Sequence, residues 1–307
     1  MGPRLPAAHR DGGDLSVAFG DVGSWTAPDG ARLALRRAEP DGPPRALLLL
    51  LHGFGDHSGR YAHVAEWAVS QGFALWALDQ RGHGRSPGPR GHIARFAQFL
   101  SDVAALRRKA AVDVPAPQVL LGHSLGGLVV LRYLQSAPLG VAAAVVTSPW
   151  IATAMRPPAW KLAAARVLAD VAPGLGMSTG LDTSLLSTDP SVGDAAEGDP
   201  LYHQRMTPRA WREIQAAQAA VVAEKDRIAT PMLMLLAGDD RIASGGASQA
   251  LAGALPTPAD VIVYEGMYHE VLNERDRARV LADLGAWLTR ALERAPAAPA
   301  APEPALP

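Results

Sequence analysis

The chain has 307 residues, 48% of them hydrophobic, and its 29 basic and 30 acidic side chains leave a formal net charge of −1. That apolar content rules out global disorder, and the even charge balance argues against a nucleic-acid binder, which needs a basic excess to neutralise phosphates. With no cysteine there is no disulfide scaffold, no thiolate zinc site and no cysteine nucleophile.

Residues 1–13 mix Pro, Gly, Arg and Ala without an apolar stretch that could act as a signal core, and read as a flexible N-terminal segment. Gly2 is not a myristoylation site, because Pro6 stands where that motif wants Ser or Thr. Strands are expected at residues 25–27 and 31–36, a hairpin around the turn Pro28-Asp29-Gly30. An apolar strand follows at 46–52, then a Gly-rich loop and a helix near 61–70, a strand at 73–78 and a helix at 96–112. Next come a strand at 118–122, a helix at 125–135 and a strand at 141–147. Apolar strands separated by helices of this length predict an α/β fold, a mostly parallel sheet covered on both faces.

The rhythm breaks at Pro149. Between residues 150 and 228 no clear strand is expected, only Pro- and Gly-rich turns and an Ala-rich helix near 209–224. Strand and helix signals then resume at 231–236, 247–254, 261–265 and 276–294. The organisation expected is a core at 14–149, a helical cap (lid) insertion at 150–228, a second core part at 229–294 and a disordered Ala/Pro tail at 295–307. The longest aliphatic run, 47–51, is too short to cross a bilayer, so a cytoplasmic protein is expected.

Gly122-His123-Ser124-Leu125-Gly126 matches G-x-S-x-G, with an apolar strand leading in and a helix leading out. A nucleophile elbow has this context: the serine hydroxyl stands above the sheet edge, and the glycines let strand and helix backbones approach. A serine needs a base to take its proton and a carboxylate to orient that base. The expected chain order is Ser, acid, His, each after a strand. Asp239 and Asp240 follow the strand at 231–236, and His269 follows the strand at 261–265. Neighbouring aspartates in a loop point to different sides, so one of the two reaches His269; Asp240 is favoured over Asp239. The loop after the strand at 141–147 holds no carboxylate. Backbone N–H groups of Leu125 and Phe54, the latter in His52-Gly53-Phe54-Gly55, are the expected oxyanion donors.

Five blocks in one order then carry a resemblance. They are the segment from His52 to Tyr61, Leu78-Asp79-Gln80-Arg81-Gly82-His83-Gly84-Arg85-Ser86, the elbow, the acid block from Gly238 to Ile242, and the histidine block from Glu265 to Glu274. Together they resemble the monoacylglycerol lipases and lysophospholipase-like α/β-hydrolases. The resemblance implies an α/β-hydrolase fold with a cap, and Ser124, Asp240 and His269 as triad. It also implies Phe54 and Leu125 as oxyanion donors, and Asp56 and Arg60 near the substrate head group. The chain departs from animal members at Leu272, where they carry a second histidine, and in lacking cysteines near the site.

Asp79 and Arg81 are expected to tie down their own loop, and His83 and His123 to be structural or pocket-lining. His57, His63, His92 and His203 show no zinc spacing, and no Walker or dinucleotide motif is present, so no metal or cofactor is expected. In the cap, Met155, Trp160, Ala163, Val167, Leu168 and Val171 fall near helical spacing. This stripe either packs on the core or, through Trp160 and Leu168, lines an acyl pocket or touches a membrane or micelle. The function expected is a serine carboxylester hydrolase for single-chain lipid esters of monoacylglycerol or lysophospholipid type. The alternatives are an esterase or acyltransferase on small esters, or a non-hydrolytic ligand-binding protein of the same fold.

Overall fold

Five consecutive leucines offer water no polar face, and the structure, a computed structural model, buries all of Leu47–Leu51. Leu47, Leu49 and Leu51 join one apolar cluster while Leu48 and Leu50 join another. Successive side chains alternate across a strand, so an all-leucine strand requires cover on both sides of its sheet.

The structure describes residues 19, 22–136, 138–154 and 159–294, with the backbone alone at 159, 161 and 162. Expectations for 1–13, for the tail 295–307 and for Met155 therefore lie outside the described residues. In chain order the elements are β1 (Gly23–Thr26), β2 (Arg32–Ala38), β3 (Leu47–Leu51), α1 (Ala62–Ser70), β4 (Ala74–Leu78) and α2 (Ala97–Asp113). There follow β5 (Gln118–His123), α3 (Leu125–Leu134), β6 (Val141–Thr147), α4 (Ala159–Val171), β7 (Met177–Ser178) and α5 (Pro190–Gly198). The last are β8 (Arg205–Met206), α6 (Pro208–Ala223), β9 (Met232–Ala237), α7 (Gly245–Ala254), β10 (Asp260–Tyr264) and α8 (Arg277–Arg294).

One sheet of eight strands runs β1-β2-β4-β3-β5-β6-β9-β10. β1 and β2 pair antiparallel, as do β2 and β4, and every other pairing in it is parallel. On one face, Phe99, Val103 and Leu106 of α2 and Leu128 and Leu131 of α3 pack with the odd-numbered leucines of β3. On the other, Val64 and Ala68 of α1 and Val280, Leu284 and Leu288 of α8 cover the even-numbered ones. The parallel strands all point their C-terminal ends to one rim, where loops of an α/β sheet build sites.

β6 and β9 are direct neighbours, with Val146 opposite Met234, so the chain between them is an excursion from a continuous sheet. The excursion contains α4, α5 and α6 and one short pair, β7 with β8, which sequence patterning did not reveal because each strand has two residues. Its α6 returns to the core through Ile214, Ala217 and Val221. α4 turns its apolar stripe outward: Trp160, Val167 and Val171 are 68%, 62% and 72% exposed, while Leu168 is half-buried. The packing reading of that stripe therefore does not hold for Val167 and Val171; α4 lies against α6 and buries Ala169. Among the described residues no helix is long and apolar enough to cross a membrane.

Candidate active site

Between β5 and α3 stands a single residue, Ser124, with φ +49° and ψ −111°. Side chains of L-residues rarely tolerate this region, and such strain persists only where its surroundings enforce it. Here the enforcement is steric. A Cβ at Gly122 would lie 2.4 Å from the Gly126 carbonyl oxygen, and one at Gly126 would lie 2.0 Å from the Leu51 carbonyl oxygen. The Ser124 N–H donates to Thr147 O, the Gly126 N–H to His52 O, and Trp150 N–H to Ser124 O. The elbow is thus sewn to the strands on either side of it.

β9 leads into Gly238 and the adjacent aspartates, and the loop after β10 carries His269. The His269 Nδ1–H donates to Asp240 Oδ2 at 2.8 Å, and its Nε2 accepts the Ser124 hydroxyl at 2.9 Å. A carboxylate only accepts, so Asp240 fixes the tautomer that leaves Nε2 free to take a proton. Asp240 Oδ1 accepts the N–H groups of Ile242 and Ala243 at 2.8 and 2.9 Å. Burial would push the Asp240 carboxyl up, but the neighbouring His269 and these donors hold it below its usual value. Asp239 is exposed and meets the histidine loop through its backbone, its N–H donating to Met267 O.

A second imidazole backs the first. The His123 ring lies 4.9 Å from that of His269, and its Nδ1 is 2.9 Å from Thr147 Oγ1. Burial, aided by His269, pushes His123 down to about 3, so it is neutral. Leu125 opens α3, and its N–H precedes the helical ladder. Phe54 follows β3 in the loop His52-Gly53-Phe54-Gly55, its ring meeting His83, His203 and Trp150 edge-on at 5.2, 5.8 and 6.2 Å. The excursion is seated on this loop: the His203 N–H donates to Gly55 O, and a Cβ at Gly55 would come within 2.2 Å of the His203 carbonyl oxygen.

Asp56 and Arg60, expected near a head group, are bonded into the protein. Arg60 Nη1 donates to Asp56 at 3.0 Å and to Glu270 Oε1 at 2.8 Å, while Nη2 donates to Glu270 Oε2 at 2.8 Å. Asp56 also accepts the Tyr61 hydroxyl and the His57 N–H, both at 2.7 Å. Burial would raise the Asp56 carboxyl, but the Arg60 charge holds it well below the carboxylate range. Trp160 and Leu168 both lie on α4, the first exposed and the second half-buried. Asp79 and Arg81 do tie down neighbouring chain: Asp79 accepts the N–H groups of Ser58 and Arg85, and Arg81 pairs with Asp102 and Asp29. Two neighbours of the site escaped the sequence reading. Trp150 touches Phe54 and Trp211, which are distant in sequence. Glu270 follows His269 directly, and a carboxylate between Tyr268 and the buried Val271-Leu272 was the available signal. Among the described residues no three His, Cys, Asp or Glu side chains cluster as metal ligands.

A family model described as serine aminopeptidase, S33, matches residues 42–276. The monoacylglycerol lipase of Mycolicibacterium smegmatis is 33% identical over 268 residues, which span 86% of this chain and 95% of that protein. The monoglyceride lipase of Homo sapiens is 31% identical over 90% of this chain and 92% of its own. Among solved structures, the monoacylglycerol lipase of Paleococcus ferrophilus superposes with a TM-score of 0.76 at 31% identity, covering 84% of this chain and 99% of that one.

Proposed function

The chain belongs to the serine aminopeptidase S33 family of α/β-hydrolases, and from that premise we propose that it hydrolyses single-chain lipid esters of monoacylglycerol or lysophospholipid type. The observation that carries the reading is the unbroken line from Ser124 Oγ to His269 Nε2 at 2.9 Å and from His269 Nδ1 to Asp240 at 2.8 Å.

Ser124 attacks the ester carbonyl as His269 Nε2 takes its proton, and Asp240 stabilises the imidazolium. The oxyanion accepts from the N–H groups of Phe54 and Leu125, aimed where negative charge develops. His269 then protonates the departing alcohol, leaving an acyl ester on Ser124. A water molecule, deprotonated by the same imidazole, attacks that ester, and the carboxylic acid leaves as Ser124 regains its proton. Residues 150–228 serve as the cap over this site. The outward stripe of α4, with Trp160, Val167 and Val171 beside the exposed Leu175 and Met177, meets the surface of a membrane or micelle transiently. Each acyl CH₂ buried is worth about 0.8 kcal/mol, so chain length can supply affinity without a charged anchor.

A panel of monoacylglycerols, lysophospholipids and 4-nitrophenyl esters tests the reading. Turnover rising with acyl length, and abolished in Ser124→Ala, is expected; stoichiometric binding without release of fatty acid would replace it with a ligand-binding role.

A further inference from the structure

Arg60 is 11% exposed at its side chain and Glu270 4%, and their paired contacts at 2.8 Å form a two-pronged, charge-assisted bridge. The bridge joins two loops that arrive from opposite parts of the chain. Asp56 lies just past the turn at Phe54 and Arg60 in the 3-10 turn Ser58–Tyr61 that follows, while Glu270 adjoins His269. Further bonds fix both ends. Asn273 Nδ2 donates to Glu270 Oε2 at 2.7 Å, and the Glu270 N–H donates to Leu186 O at 2.8 Å. Asp56 holds the other end through Arg60, Tyr61 and His57, and the Arg60 guanidinium lies over the Tyr202 ring at 5.5 Å.

We propose that Glu270, held by Arg60, is a positioning residue that sets His269 against the oxyanion turn at its working separation. The inference rests on the ester-hydrolysis reading above and adds to it. Stability is a poor account of the pair: buried ion pairs contribute little net stability against an apolar pair, yet losing one member strands the other. What the bridge supplies is registry. A proton acceptor and a pair of oxyanion donors act on one carbonyl, and a displacement of about 1 Å between them costs on the order of 10²-fold in rate. Since both carboxylates engage the guanidinium, Arg60 is held by the protein at both Nη atoms and acts through the loops it joins.

The test compares Glu270→Gln, Arg60→Met and the double variant on a 4-nitrophenyl ester, which has no glycerol head group, and on a monoacylglycerol with the same acyl chain. Each single variant is expected to lower kcat about 100-fold on both substrates with KM unchanged, and to slow fluorophosphonate labelling of Ser124 by the same factor. In the double variant the losses should not multiply, because both substitutions break one bridge. A loss confined to the monoacylglycerol, or appearing in KM, would assign the pair to head-group binding and overturn the proposal. So would unchanged kcat or multiplying losses in variants that melt as cooperatively as the parent. Should Glu270→Gln fail to melt cooperatively, Glu270→Asp, with the charge kept one methylene short, is expected to lower kcat at constant KM. Failure of the parent protein to label or to turn over either ester would instead defeat the ester-hydrolysis reading.

Discussion

Adjacent aspartates of identical chemistry are separated here by environment alone. Asp239 faces water, whereas the Asp240 side chain is 4% exposed and accepts three hydrogen bonds, one of them from the His269 imidazole. Asp240→Asn should therefore lower kcat by on the order of 10⁴-fold, since the amide reverses the tautomer that leaves Nε2 able to accept. Asp239→Asn should stay close to the parent in steady-state assays, and the opposite ranking would reassign the acid. The elbow was legible in the sequence because its constraint is local: two glycines and a serine within five residues, each needed where backbones nearly collide. The partnership of Arg60 with Glu270 was not, because it spans 210 positions and shows only once the strands are ordered. The resemblance drew attention to Asp56 and Arg60, but their partners Tyr61 and Glu270 show only in the folded chain.

The helices and strands of the core were read within a few residues of their bounds, since strands such as β3, β4 and β9 are apolar from end to end and a turn signal separates β1 from β2. α4 is where patterning says least. Helical spacing of apolar residues announces a face but not its partner, and this face looks outward. Its neighbours are fastened: Thr188 binds Glu274 through N–H and hydroxyl at 2.9 and 2.5 Å, and the Thr207 N–H donates to Gly91 O. α4 itself leans on α6, with the pair of Arg212 and Asp170 at the rim. Two expectations follow for this helix. Hydrogen exchange should proceed faster in α4 than in α6, because the described side chains of α4, Ala169 apart, are exposed or half-buried. Val167→Glu combined with Val171→Glu should lower turnover of micellar monoacylglycerol while sparing dissolved 4-nitrophenyl acetate; equal losses on both would remove α4 from any lipid contact.

Considered as a whole, the protein buries neutral histidines around its candidate active site, and this links stability to pH. Burial pushes His123 down to about 3 and His203 to about 4, and drives His83 well below its ordinary value. A histidine whose folded pKa lies below the unfolded value of about 6.5 binds its proton preferentially when unfolded. Stability from these groups is complete above that value and is lost as pH falls towards 4 and then 3. Carboxylates held low, Asp56 and Asp240, add a further loss below their ordinary 3.8. Thermal melts between about pH 7 and pH 4 should show a steadily falling Tm; a flat profile would mean that these imidazoles take up protons as readily in the folded protein as in the unfolded chain.

Every step proposed for the reaction begins with one serine oxygen made nucleophilic by an imidazole that reaches it from a distant loop. Mass spectrometry of the protein after brief exposure to a fluorophosphonate reads that reactivity without assuming any substrate. A single adduct on the peptide carrying Ser124, absent from His269→Ala over the same interval, is expected. An adduct on another residue, or an unlabelled Ser124 in protein that still cleaves esters, would contradict it.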